Sequence, residues 1–264
     1  MGTAIRTVYT IWLREWLRFL RERSRIIGMI GQPLLYFLIV GQGISAAMAF
    51  RAAPPGVNLS YLQFMYPGIL AMSVLFTSIF SGISIIWDRE FGFLKEVLVA
   101  PVPRWAIALG KALGASTVAL CQATILLALA PLAQVHLTLP LVGKLLAVLF
   151  LISLAITFMG VAIASRMETM EGFQMIMNFL VMPLYFLSGA MFPLANVPAW
   201  MSALMHFDPL TYGVDALRHL IFADAHPQVL AFLVHFPFIT DLLVLTGMVL
   251  VLGGMGSWFF SRQV

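Results

Sequence analysis

The chain has 264 residues, 61% of them hydrophobic and only 10% charged. Soluble domains carry roughly 25% charged residues, so the composition excludes an ordinary soluble enzyme and indicates several membrane spans. The net charge of +4 reads as membrane topology and not as a nucleic-acid surface, because the basic residues are unevenly placed.

Residues 1–25 carry six arginines among apolar residues, with no short apolar core before a small-residue cleavage site, so they do not read as a secretory signal. They predict an amphipathic helix. Ile5, Val8, Tyr9, Trp12, Trp16, Phe19 and Leu20 fall on one face, and Arg14, Arg18, Arg21 and Arg25 on the other. An apolar stripe with tryptophans opposite a basic stripe suits a helix lying in the membrane interface.

Six charge-poor stretches follow as predicted spans: 26–50, about 62–87, within 112–143, 145–165, within 172–207, and 242–260. An even number puts both termini on one side. With that side cytoplasmic, 12 of the 15 Lys and Arg residues lie inside, and Arg51, Lys144 and Arg218 lie outside. The positive-inside rule favours this orientation.

Between predicted spans two and three, residues 87–111 hold seven of the chain's charges. Phe91, Leu94 and Leu98 recur at helical spacing, with Arg89, Glu90, Lys95 and Glu96 around them. Pro101 and Pro103 end the helix, and Lys111 marks the predicted return to the membrane. A short amphipathic loop helix either links two spans or projects into a groove on a cytosolic partner. In the second case Phe91 and Leu94 supply burial, and the charges set register.

The segment 188–222 is apolar but broken by Gly189, Pro193, Pro198, Pro209 and Gly213. That density does not fit one continuous helix. Short helices that dip into the outer leaflet fit better, packed on their own domain or capping a pathway. Asp208-Pro209 predicts a helix start. Asp215 and Arg218 lie at i, i+3 and are placed to pair.

Much familiar chemistry is missing. "GKALGAST" at 110–117 has its Gly-Lys pair before the other glycine and is not a phosphate loop. No HExxH, CxxC or GxSxG occurs. No histidine pairs with another at i+3 or i+4, so no metal site is predicted. The lone Cys121 reads as a packing residue. Mid-span acids, which a proton-coupled carrier uses, are not found either.

"REFGFLKEVLVAPVPRWAIALGK" resembles the cytoplasmic loop of ABC-2 type transporter permeases. "FMYPGILAMSVLF" at 64–76 resembles that family's second span. "MPLYFLSGAMFPLANVPAWMSALMHFDPLTYGVDALRH" resembles its fifth span and following external segment. The three motifs occur in order, and the resemblance covers about residues 14–260. Exporter-type members, similar to daunorubicin-resistance and Nod-factor permeases, are the expected relatives.

The resemblance implies an all-α membrane protein of the type V exporter kind. Residues 1–25 would form an interfacial connecting helix, and 26–264 a six-span domain. That domain would include a coupling helix at about 89–99 and external re-entrant helices at about 193–222. It implies a permease subunit, not itself an enzyme, exporting an amphipathic, lipid-linked or hydrophobic substrate across the inner or plasma membrane. Its partners would be two copies of an ABC ATP-binding subunit, which carry the ATP and Mg, and a second copy of itself or a related permease. Membrane lipids surround it, and no nucleic acid or cofactor on this chain is expected.

Arg89, Glu90, Phe91, Gly92, Leu94, Lys95, Glu96, Pro101 and Pro103 would form the ATPase-coupling region. The substrate pathway is assigned to Gln32, Tyr36, Phe64, Tyr66, Phe76, Asn178, Phe179, Tyr185 and Phe186. The external segment is marked by Pro193, Pro198, Trp200, Pro209, Tyr212, Asp215 and Arg218. Met167, Met170, Met175, Met177, Met182 and Met191 cluster around span five, either as core filling or as an adaptable lining. An ATP-independent channel or carrier, or a membrane-embedded lipid enzyme, stands as the alternative.

Overall fold

A computed structural model describes residues 2–41, 43, 59–91, 102–193 and 197–261. Among the described residues the regular structure is entirely helical. Helix α1 (Gly2–Arg21) is followed by α2 (Arg23–Leu35), which runs on as a π-helical stretch, Tyr36–Gly41. Then come α3 (Tyr61–Phe80) and α4 (Ile83–Glu90), which form one span together. Next are α5 (Arg104–Leu127), a 3-10 turn at Ala130–Ala133, α6 (Leu139–Ala164) and α7 (Met170–Leu187). Three shorter helices, α8 (Ala199–Met205), α9 (Pro209–Ile221) and α10 (Pro227–Leu233), lead to α11 (Phe238–Ser261).

Among the described residues, five helical runs are long and apolar enough to cross a membrane. A sixth is counted if α1 and Ile26–Gly41, bent by 73°, act as one.

Local chemistry sets several starts. Ser60 caps α3 in a reciprocal box with Gln63, each side chain bonding the other's backbone N–H at 3.1 Å. Thr169 accepts from Gly172 N at the start of α7. Asp208 Oδ1 accepts from Leu210 N at 2.8 Å, with Pro209 at the first position of α9, as Asp208-Pro209 predicts.

Helix α3 lies at the centre, packed on α5 and α6. Phe64, Met65, Leu70, Leu75 and Ile79 are sealed from the surface. Hydroxyl groups tie the three helices together: Ser78 to Ser153 at 2.7 Å, and Ser153 to Ser116 at 3.1 Å. In an apolar surrounding such pairs keep polar groups satisfied across helices. At the periphery, only 28% of the α7 span and 17% of the α10–α11 span are buried. Phe179, Met175, Leu243 and Leu250 therefore face outward.

Some boundaries differ from the sequence reading. Lys111 is not a point of re-entry. It lies two turns inside α5 and is buried, because the helix begins at Arg104. The fourth span likewise begins at Leu139 and carries Lys144 in its second turn. Charge alone marked those limits too late, since a paired or outward-facing lysine does not stop a helix.

The N-terminal helix packs closely on α5. Its contact with α5 runs along Val8, Ile11, Trp12 and Glu15, and Gly110 and Gly114 make the approach possible. A Cβ on Gly110 would come 2.8 Å from Ile11 Cβ and 3.0 Å from the Val8 carbonyl. One on Gly114 would come 2.7 Å from Glu15 Cβ. Trp12 Nε1 donates to Thr117 Oγ1 at 2.9 Å. Ile5, Tyr9 and Leu20 from the predicted stripe remain exposed.

Candidate functional site

The end of the bundle formed by α4 and the start of α5 carries a buried ion cluster. Asp88, on the last turns of α4, accepts from Arg14 of α1 and, at 2.6 Å, from Lys111 Nζ of α5. Lys111 also donates to Ser84 Oγ at 3.0 Å and reaches Glu15 at 3.4 Å. Asp88 and Lys111 are both buried. Two charges taken out of water are tolerated here because each has opposite charge and further hydrogen bonds. The cluster fastens α1, α4 and α5 to one another at the base of the segment that leads into 92–101.

The coupling residues divide at this point. Gly92, Leu94, Lys95, Glu96 and Pro101 lie outside the described residues, as does most of the helix predicted at 89–99. Helix α4 ends at Glu90, and Phe91 projects with 82% of its surface exposed. Glu90 is exposed, and Pro103 immediately precedes α5 in extended backbone. Arg89 is turned inward. It donates to the carbonyls of Met167 and Ser165, the latter at 3.2 Å, and so pins α4 to the turn between α6 and α7.

Beside the ion cluster two adjoining cavities run along α3. The first, about 200 Å³, lies among α1, α4, α5 and α7, with Glu15, Arg18, Trp87, Met170 and Gln174 in its wall. Arg18 sits over the Trp87 ring at 4.4 Å and pairs with Glu22 at 3.5 Å. The second, about 400 Å³, lies among α2, α3 and α5, lined by Met29, Gln32, Pro33, Met72, Ser73, Phe76 and Gln122. Thr77 and Phe80 belong to both walls. Thr77 Oγ1 donates to Gln122 Oε1, and Gln122 Nε2 donates to Met29 O at 2.5 Å. The result is an apolar groove with a few amide and hydroxyl groups and a charged mouth.

Of the predicted pathway residues, Gln32 and Phe76 line this groove. Phe64, Tyr66 and Tyr185 do not. They are core residues: Tyr66 donates to Leu126 O at 3.2 Å and meets Phe37 edge-on, while Phe64 underlies Arg218. Aromatic size in an apolar span signals packing more often than a route. Tyr36 is half-buried at the start of the π-helical stretch. Asn178, Phe179 and Phe186 face outward from α7.

At the opposite end of α3, the segment predicted as external forms a second polar centre. Pro198 precedes α8, and Trp200 is exposed upon it. Pro193 is half-buried, and Tyr212 donates to His206 O at 3.0 Å. Arg218 is wholly buried, stacks over Phe64 at 4.4 Å, and donates to Gly189 O at 2.7 Å. Gly189 has φ of 74°, a conformation glycine adopts without penalty. Asp215 does not pair with Arg218 as the spacing predicted. It accepts instead from Phe236 N at 2.8 Å and His235 N at 3.0 Å, closing the turn before α11.

Residues 6–222 match the ABC-2 type transporter family. The chain belongs to that family. Similar proteins include the putative transport permease ycf38 of Cyanophora paradoxa, 30% identical over 82% of this chain and 74% of that one. The probable multidrug ABC transporter permease YbhR of Escherichia coli is 31% identical over 64% of this chain, which covers 46% of YbhR. The inner membrane transport permease YadH of the same species is 28% identical, covering 80% of each chain. This chain is thus a multi-pass membrane permease, a transport protein by family.

The sequence reading missed Asp88, Lys111, Arg14 and Glu15 as a unit. Opposite charges 23 residues apart, on either side of one loop, were the available signal. The Gly110–Gly114 spacing, set aside as a failed phosphate loop, is a G-x-x-x-G contact face. Asp241, in the first turn of α11, reads from the sequence as an acid at the outer edge of span six, and no sequence spacing relates it to Asp215.

Proposed function

We propose that this permease is the membrane subunit of an ATP-driven exporter, powered by two copies of a separate ATP-binding subunit and acting as a dimer. The buried tie of Asp88 to Arg14 and Lys111 carries the reading. It makes α1, α4 and α5 one body at the foot of the 92–101 segment, so a push on that segment reaches both the N-terminal helix and the groove. The sequence has no phosphate-loop motif, which agrees with ATP hydrolysis on a partner that holds ATP and Mg. YadH is named an inner membrane permease and YbhR a multidrug one. The first name favours an inner-membrane location and the second drug-like cargo.

In this mechanism ATP binding draws the two ATPases together. Phe91, Glu90 and the residues around Glu96 travel with them as the coupling surface. The ion cluster transmits the movement to α3 and α5, whose Thr77–Gln122 contact lies between the two cavities. A substrate shifts this equilibrium only by its difference in affinity between the two states. The groove's apolar walls, with Gln32, Ser73 and Gln122 as hydrogen-bonding groups, suit a lipid-like or drug-like molecule.

The test is a double variant, Phe91→Ala with Glu96→Lys, in the reconstituted complex. Export and substrate-stimulated ATP hydrolysis are expected to uncouple while dimer assembly persists. Unchanged substrate stimulation in that variant overturns the reading.

A further inference from the structure

Carboxylate oxygens of Asp215 and Asp241 and a ring nitrogen of His219 all lie within 4.8 Å of one another. Asp241 has no exposed surface, and both its oxygens are buried without a hydrogen-bond partner. A buried carboxylate left this way is costly unless a proton or a cation joins it. Arg218, one turn away, is not that cation, because its guanidinium is directed to Gly189 O and the Phe64 ring.

The neighbours of Asp241 are held as metal ligands are held. His219 Nε2 lies 2.7 Å from the Phe236 carbonyl oxygen. A carbonyl only accepts, so Nε2 carries the hydrogen and Nδ1 keeps the lone pair. Asp215 is fixed by backbone N–H groups: Phe236 N donates to Oδ2 at 2.8 Å, and His235 N is shared between Oδ2 at 3.0 Å and Oδ1 at 3.1 Å, which still leaves Oδ1 one lone pair. A histidine anchored through its other nitrogen, beside an anchored carboxylate, is the usual outer arrangement of a metal centre.

From this geometry we propose that Asp215, His219 and Asp241 bind a divalent cation of borderline softness, Zn²⁺ in the first instance. One imidazole and two carboxylates suit such an ion better than Mg²⁺ or Ca²⁺, which favour oxygen-only shells. Zn²⁺ takes such ligands at about 2.0–2.2 Å, and three ligand atoms within 4.8 Å of one another stand close to that reach. The bound ion clamps α9 to the first turn of α11, at the end of the bundle away from the Asp88 cluster. This site is separate from the groove, and neither transport nor ATP hydrolysis is needed to detect it.

The experiment uses the full chain in detergent, stripped with chelator and titrated with ZnCl₂ by calorimetry and by thermal unfolding. One Zn²⁺ per chain is expected, with a raised unfolding midpoint that millimolar Mg²⁺ or Ca²⁺ does not reproduce. Asp241→Asn and His219→Gln are each expected to lose about 10–100-fold in affinity. Wild-type protein with no Zn²⁺-dependent heat or shift overturns the proposal. So does unchanged affinity in either variant that elutes as a monodisperse species, or full displacement by Mg²⁺. If Asp241→Asn fails to fold, His219→Gln and the wild-type titration still decide the question.

Discussion

Asp88 and Lys111 show what a buried pair demands. Each is enclosed, so removing one strands the other in a poorly solvating place. Asp88→Ala is expected to destabilise the protein by about 3 kcal/mol, read as a lower unfolding midpoint in detergent. Adding Lys111→Met should recover part of that loss, because the stranded ammonium is gone. A double variant no more stable than Asp88→Ala alone would refute the coupling. Asp208 offers a second residue-scale test. Burial pushes its carboxyl up to about 8 from an ordinary 3.8, against the opposing hydrogen bonds from Leu210 N and Thr211. The folded state therefore holds a proton that the unfolded chain releases above pH 4. Its stabilising share is complete below pH 4 and is lost as pH rises towards 8, with a slope of at most about 1.4 kcal/mol per pH unit. Asp208→Asn keeps the cap and should flatten the fall in unfolding midpoint between pH 5 and 8. Asp208→Ala removes the cap at a cost of about 1 kcal/mol.

Among the elements, the junction of α1 with α5 is an exacting one. Both Gly110 and Gly114 stand where a β-carbon would strike the facing helix, and at Gly110 one of the struck atoms is backbone. Gly110→Val is expected to push α1 away at a cost of about 1–3 kcal/mol. The change should break the Trp12–Thr117 hydrogen bond and speed tryptic cleavage at Arg14 and Arg18. Cleavage at the wild-type rate would show that α1 does not depend on this contact. The existence and order of these helices were legible from apolar runs, caps and prolines. Their faces were less so. A stripe of large apolar residues on α1 pointed to lipid, whereas the closest packing was set by two glycines on another helix, which carry no hydrophobic signal.

For the whole molecule, the unequal burial of its spans distinguishes a sealed centre at α3 from outward faces on α7 and α11. The uneven basic residues predict that the Asp88 end is cytoplasmic and the Arg218 end external. With Cys121 replaced by serine, a cysteine at Glu22 should react with an impermeant reagent only after the membrane is opened. One at Ser202 should react in intact cells. The reverse pattern would invert the topology.

The sequence by itself determined that this is a helical, multi-pass membrane protein, and its ordered motifs placed it in a permease family. Composition, apolar length and local turn chemistry are written along the chain, so they survive without coordinates. Only tertiary structure decided which charges meet. Arg14 joins Asp88 across 74 residues, and Asp215 faces Asp241 from a different helix. It also showed that Phe64, Tyr66 and Tyr185 lie in the core. The physical reason is common to all of these. Burial, ion pairing and close glycine contact depend on the partner surface, and the partner lies elsewhere in the chain.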